Sequence, residues 1–237
     1  MKRYLNIFPN IIAFVFLLHS VPVLGGEKVH FNASAEASPS VGGKVIIGID
    51  ATPGTPTQSA VNVSKTKDSK YKYKFPVGYY EEVSTTFYYK ASANANYVFK
   101  GWSADVNANS GNTNASYSIK LTGKGNGIIW EDVKETASKQ YAIFARMTGD
   151  PASGSTIDFG EAVEGIGATK ILNITHAHAG TISLTTTGDF SVSPATINSI
   201  AEETASITIT FSPQGQGIRP GTLTVSSNNG LSNLTYT

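Results

Sequence analysis

Tyr97-Val98-Phe99-Lys100-Gly101-Trp102 is the stretch on which the reading of this chain turns. Tyr97 and Phe99 fall on one side of an extended segment, and the pattern runs into a glycine and one of only two tryptophans. A period of two marks a strand. The pattern is cleanest in Ala205-Ser206-Ile207-Thr208-Ile209-Thr210-Phe211-Ser212, whose apolar residues all face one way. Upstream, Val45, Ile47 and Ile49 follow the turn-forming Pro39–Gly43, and Pro53–Pro56 closes that segment. Val61 and Val63 lie on a further short strand. Val83, Thr85, Phe87 and Tyr89 then share one face, with Thr86 and Tyr88 on the other. Downstream, Tyr117, Ile119 and Leu121 make a strand, Ile128-Ile129-Trp130 a short buried run, and Tyr141, Ile143 and Ala145 another strand.

Composition supports an all-β protein. Charged residues are 15% of the 237, well below the usual figure of about 25%. Ser, Thr, Asn and Gly take their place, as on the wet strand faces of extracellular modules, while β-branched and aromatic residues stay abundant enough to exclude disorder. The length suits two domains. Asp150-Pro151-Ala152-Ser153-Gly154-Ser155 reads as a linker, which divides the chain into 27–149 and 156–237. In the second part, alternating segments at Ile157, Leu172, Ile182, Phe190, Ile207 and Leu223, each ended by a turn, predict an antiparallel sandwich.

Residues 1–26 read as a secretory signal: Lys2 and Arg3, an apolar run from Ile11 to Leu18, then small residues after Pro22. The run is too short for a span of about 20 residues, so no membrane insertion is expected after its removal. The leader holds two of the 18 basic residues and none of the 17 acidic ones, so the remainder carries a net charge of −1. That balance argues against nucleic acid as a partner. Cysteine is absent, which excludes disulfides, thiol catalysis and thiolate metal sites.

Two family resemblances follow from these residues. Phe99-Lys100-Gly101-Trp102-Ser103 and Tyr141-Ala142-Ile143-Phe144-Ala145 make residues 29–147 similar to the divergent internalin-type B-repeat modules of bacterial surface proteins. Residues 155–237 resemble the immunoglobulin-like repeats of the abnormal-spindle/hydin type. The match rests on Ile157-Asp158-Phe159-Gly160, Asp189-Phe190-Ser191-Val192, the 207–213 strand with Pro213, and Gly221-Thr222-Leu223-Thr224-Val225. That pattern continues into a further strand, whereas this sequence ends at Leu234-Thr235-Tyr236-Thr237, so a short or cut last strand is expected. Both resemblances imply adhesive or architectural modules of the bacterial envelope with no catalytic residue.

Several constellations invite chemistry. Lys65–Phe75 is the most basic stretch. Its rings, Tyr71, Tyr73 and Phe75, are expected to face the core and its lysines to guard an edge, because rings and cations on opposite faces cannot serve one nucleic-acid ligand. Asp105, Asn107, Asn109, Asn112 and Asn114 have oxygens near calcium-loop spacing, but one carboxylate and a misplaced Gly111 favour a solvated loop. His176 and His178 are expected as polar turn residues, since no third metal ligand is visible. With only His30 besides them outside the leader, and no Gly-x-Ser-x-Gly elbow, a hydrolase triad is not expected. Asp158-Phe159-Gly160, Gly165–Lys170 and Gly123–Gly127 copy kinase or phosphate-loop fragments without their companions. Asn-x-Ser/Thr acceptors at Asn32, Asn62, Asn114, Asn173 and Asn233 reflect composition if the bacterial resemblance holds.

The sequence thus predicts two consecutive antiparallel β-domains, the second immunoglobulin-like. The expected role is an exported, non-enzymatic module at the cell surface, in the periplasm or secreted, without a cofactor. It would serve adhesion, scaffolding or presentation toward a protein or glycan partner. The alternative is a carbohydrate-binding protein that stacks sugars on exposed tyrosines, with Tyr79, Tyr80 and Tyr88 the candidate site residues. The two differ observably: a sugar binder needs at least two coplanar exposed rings, whereas a scaffold buries them.

Overall fold

The computed structural model describes residues 26–74, 77–126 and 132–237. Residues 1–25 of the expected leader, Phe75 and the Ile128–Trp130 run lie outside these residues.

Among the described residues the protein is all-β, with no helix. The first half contains β1 (Glu27–Ser38), β2 (Gly43–Ile49), β3 (Ala60–Ser69), β4 (Tyr71–Lys74), β5 (Val77–Tyr80), β6 (Val83–Ala93), β7 (Val98–Ser103), β8 (Ser116–Gly123) and β9 (Val133–Thr136). The strand β10 (Gln140–Asp150) leads into the second half. There follow β11 (Ala168–Ala177), β12 (Gly180–Thr186), β13 (Phe190–Ser193), β14 (Thr196–Ser199), β15 (Glu203–Phe211), β16 (Leu223–Ser227) and β17 (Leu234–Tyr236).

β1 is the spine of the first half. Val29, Phe31, Ala33, Ala35 and Ala37 point inward, while the residues between them are exposed or half-buried. It pairs antiparallel with β3 over ten residues on one edge. On its other edge it pairs in parallel, first with β9 and then with β10. Parallel pairing is thus inserted into a largely antiparallel fold, and its partners come about 100 residues later in the chain. A second sheet, β2-β6-β8, supplies Val45, Ile47, Phe87 and Tyr89 to the same core. Fully burying a phenylalanine such as Phe31, Phe87 or Phe144 contributes about 1.5–3 kcal/mol, and the three side chains are completely enclosed.

Trp102 is a core residue, packed edge-on against Tyr89 and Phe99 and tilted against Tyr117. Gly101 has φ +129°, and a Cβ there would stand 2.6 Å from the backbone carbon of Gly111. A side chain is therefore excluded where two backbones touch. That contact folds the loop after β7 back on its strand, with Trp102 and Asn112 exchanging two backbone hydrogen bonds of 2.9 Å.

The expected edge strand at Lys65–Phe75 is divided in two. β3 ends at the buried Ser69, whose hydroxyl donates to the Glu81 carbonyl, and β4 begins a separate hairpin with β5. Tyr73 is consequently 65% exposed and does not face the core; only Tyr71 of the described rings is partly covered.

β10 belongs to both halves. Tyr141–Ala145 pair with β7 and Gln140–Ile143 with β1, whereas Arg146–Asp150 pair with β11. One sheet therefore runs β13-β15-β11-β10-β1-β3 across the molecule. Ala142 and Phe144 belong to the first apolar cluster and Met147 to the second. The second cluster lies between this sheet and β14-β12-β16-β17, with Leu172, Ile174, Ile207 and Ile209 facing Ile182, Leu184, Val225 and Tyr236. The segment expected as a linker begins inside β10 at Asp150.

Candidate functional site: the polar seam between the two halves

The loops around β10 bring together side chains that are far apart in sequence. Between β11 and β12 the chain crosses from one sheet to the other through His178, which adopts φ 42°. Histidine tolerates this left-handed conformation better than most residues, but it persists only where the surroundings enforce it. They do so here. The His178 amide donates to the Ile200 carbonyl at 3.2 Å, and its own carbonyl accepts from Asn229 Nδ2 at 2.6 Å. The ring enters the first half, where Nε2 lies 2.9 Å from Ser38 Oγ. Nδ1 is buried.

His176 sits two residues earlier and is also enclosed. Ser199 Oγ accepts the Ala179 amide at 3.1 Å, which leaves the hydroxyl proton free to be donated to His176 Nδ1 at 2.9 Å. Burial holds both imidazoles below the ordinary histidine value; Glu203 opposes this at His176 and the Ala108 backbone at His178. Both rings are therefore neutral near pH 7. His178 sits at the β11–β12 turn, as expected, but His176 lies within β11 and both rings are enclosed, which local sequence could not show.

The Asn-rich loop after β7 forms the opposite wall. Asp105 Oδ1 accepts the Asn107 amide at 2.9 Å and Asn112 Oδ1 the Asn114 amide at 3.1 Å, so these oxygens serve local turns. The Asn109 carbonyl accepts the second proton of Asn229 Nδ2 at 2.7 Å. Among the described residues, no three His, Asp or Glu side chains group as metal ligands. On the seam's flank, Arg146 Nη1 lies 3.3 Å from Glu202 Oε1, and Tyr97 donates its phenol to the same carboxylate. The guanidinium also stands 5.3 Å from the Tyr97 ring centroid. Burial, then the bond to Glu202, push the Tyr97 phenol above its ordinary value.

The seam's chemistry is that of a clasp. Ser38 and His178 form a hydroxyl–imidazole pair, but no carboxylate orients Nδ1 and both residues are closed to solvent. A hydroxyl–imidazole–carboxylate row does occur elsewhere, unforeseen because it needs the register of β1 against β3. Thr66 Oγ1 lies 3.0 Å from His30 Nδ1, and His30 Nε2 lies 2.8 Å from Asp132 Oδ2. It crosses the face of the sheet from β3 over β1 to the residue before β9, where the His30 side chain is 32% and the Asp132 side chain 53% exposed.

The candidate tyrosines are not brought together. Tyr79 is 51% exposed on one face of β5. Tyr80, on the other face, meets Tyr71 edge-on at 5.2 Å, and its hydrogen bond to Glu27 pushes its phenol upward. Tyr88 lies on the outer face of β6 between Gly48 and Ser118, in a different sheet. Ser38, Arg146, Glu202 and Asn229 were not singled out from sequence; the one local cue was Gly180 after His178, a turn that allows the corner. No protein-family model matches this chain, and no curated protein matches it.

Proposed function

We propose that this chain is an exported, non-enzymatic module of the bacterial envelope, built for adhesion, scaffolding or presentation. Its B-repeat-like first half and immunoglobulin-like second half would be held as one stiff body. The observation that carries this reading is β10, which hydrogen-bonds to strands of both halves and contributes to both cores. A spacer that holds surfaces at a fixed distance needs such a shared strand, whereas an enzyme would need convergent reactive groups open to solvent. Carbohydrate binding by tyrosines has less support, because Tyr73 and Tyr79, the two most exposed rings among the described residues, project from opposite faces of one hairpin.

The test has two arms. Fusing residues 1–26 to a reporter should direct its export from a bacterial cell, and residues 27–237 should bind a protein or glycan on host-matrix and glycan arrays without turning it over. Retention of the reporter in the cytoplasm, or measurable turnover of a peptide or polysaccharide, defeats the reading.

A further inference from the structure

A shallow hollow of about 360 Å³ lies on the outward face of the first half, over the middle of β1 and β3 and up to the end of β9. Phe31, Ala33 and Ala35 of β1 point inward, so Asn32 and Ser34 point out. The register sets Ser64 opposite Asn32 and Asn62 opposite Ser34, and Thr136 of β9 stands on the other side of Asn32. These five short polar side chains line the hollow together. The β1–β9 ladder ends at Asn32 and Thr136, and the β1–β10 ladder begins at Ala35 and Gln140. Ala33 and Ser34 thus face a gap between two ladders, which is too short to seat a strand.

A second ladder of the same protein shows what such residues do when they serve only the fold. Between β11 and β15, Ser206 donates to Asn173 Oδ1 at 2.9 Å, and the Thr175 and Thr204 hydroxyls lie 3.0 Å apart. Asn32 and Ser64 are cross-strand partners of the same kind as Asn173 and Ser206, as are Asn62 and Ser34, yet neither pair bonds. Among the described residues, none of the five side chains hydrogen-bonds to another residue. Their amides and hydroxyls are left for an occupant of the hollow.

The occupant's chemistry follows from the lining and its borders. An asparagine amide both donates and accepts, as does each hydroxyl, and the five carry no charge. At one end His30 pairs with Asp132 and stands opposite Lys134; at the other Glu36 pairs with Lys139. Carboxylate and cation are matched at both ends, so the surroundings favour neither sign. Tyr141, opposite Glu36, has the Lys139 ammonium 4.9 Å over its ring, so recognition there does not depend on stacking. We propose that this hollow binds a neutral saccharide, whose hydroxyls, each donor and acceptor at once, bridge the Asn32 and Asn62 amides and the Ser34, Ser64 and Thr136 hydroxyls. Its volume lies within the range of about 300–1,000 Å³ of small-ligand sites. The proposal rests on the reading of the chain as a non-enzymatic binding module, and names its partner class.

The probes are cellotriose, maltotriose and chitotriose, titrated at millimolar concentration into ¹⁵N-labelled residues 26–237. At least one should shift the Asn32 and Asn62 side-chain amide signals saturably. Asn32→Ala with Asn62→Ala should weaken that saccharide roughly tenfold or more, while the rest of the amide spectrum stays folded. Asn173→Ala, on the other ladder, should leave the affinity at the parent's value. Absence of saturable shifts with all three probes, shifts that map away from the hollow, or affinity unchanged in the paired asparagine variant overturns the proposal. Tighter binding of trigalacturonate at the same residues overturns the neutral class. A chain that ignores all three saccharides but captures a protein on matrix arrays would overturn the hollow and leave the module reading standing.

Discussion

His178 Nε2 and Ser38 Oγ lie 2.9 Å apart across 140 residues of sequence, a bond that joins the two halves from inside. Around it the seam is polar yet closed to water, so its integrity depends on the protonation of buried groups.

Stability should therefore fall as pH drops. Burial lowers the folded-state affinity of His176 and His178 for protons below the ordinary value near 6.5. The unfolded chain then binds more protons than the native one, and the native state loses ground as pH falls below about 6.5 until the folded-state values are passed. Urea midpoints between pH 7.5 and pH 5 will show the slope. In the paired variant His176→Gln, His178→Gln the slope should flatten, whatever that variant's absolute stability; an unchanged slope removes the histidines as its cause.

Trp102→Ala should cost about 3–5 kcal/mol, because it empties a site enclosed by Tyr89, Phe99 and Tyr117. Near-ultraviolet dichroism and calorimetry should report loss of the first core. A variant as stable as the parent would place the ring outside that core.

Two glycines should respond in opposite ways. Gly101→Ala forces a Cβ into Gly111 at an unfavourable φ and should destabilise by roughly 1–3 kcal/mol. Gly54→Ala meets nothing within 4 Å and should leave stability unchanged or raise it by up to about 1 kcal/mol. Equal effects would contradict the Gly101–Gly111 contact.

Arg146 and Glu202 should be energetically coupled. Each is about a quarter exposed, so screening is partial, and a double-mutant cycle to alanine should give about 0.5–1 kcal/mol, smaller in 1 M salt. Zero coupling in low salt would mean that the pair does not hold the seam.

What could be read from sequence was whatever depends on a period of two. The inward set Phe87 and Tyr89, the outward Tyr88 and the Ile207–Phe211 strand lie where alternation puts them. Long-range pairing was illegible: nothing in Glu27–Ser38 announces that its second edge belongs to residues 133–143. Tyr73 was misplaced because the break at Ser69 comes from a tertiary bond to Glu81, not from a turn residue. The seam was invisible for a related reason. His178, Asn229 and Glu202 resemble ordinary loop residues until two surfaces close on them.

The strand shared by both halves also orders events in time. A chain made from its amino terminus releases β1 early, and β3 can join it soon after, but β1's other edge stays bare until β9 and β10 appear about 100 residues later. Closing so long a loop is slow compared with local hairpins. The same β10 then offers Arg146–Asp150 to β11, so the last step in completing the first core is also the first template for the second. Assembly of the two halves is sequential by construction, and the nascent first half waits, open along one edge, for the strand that begins its neighbour.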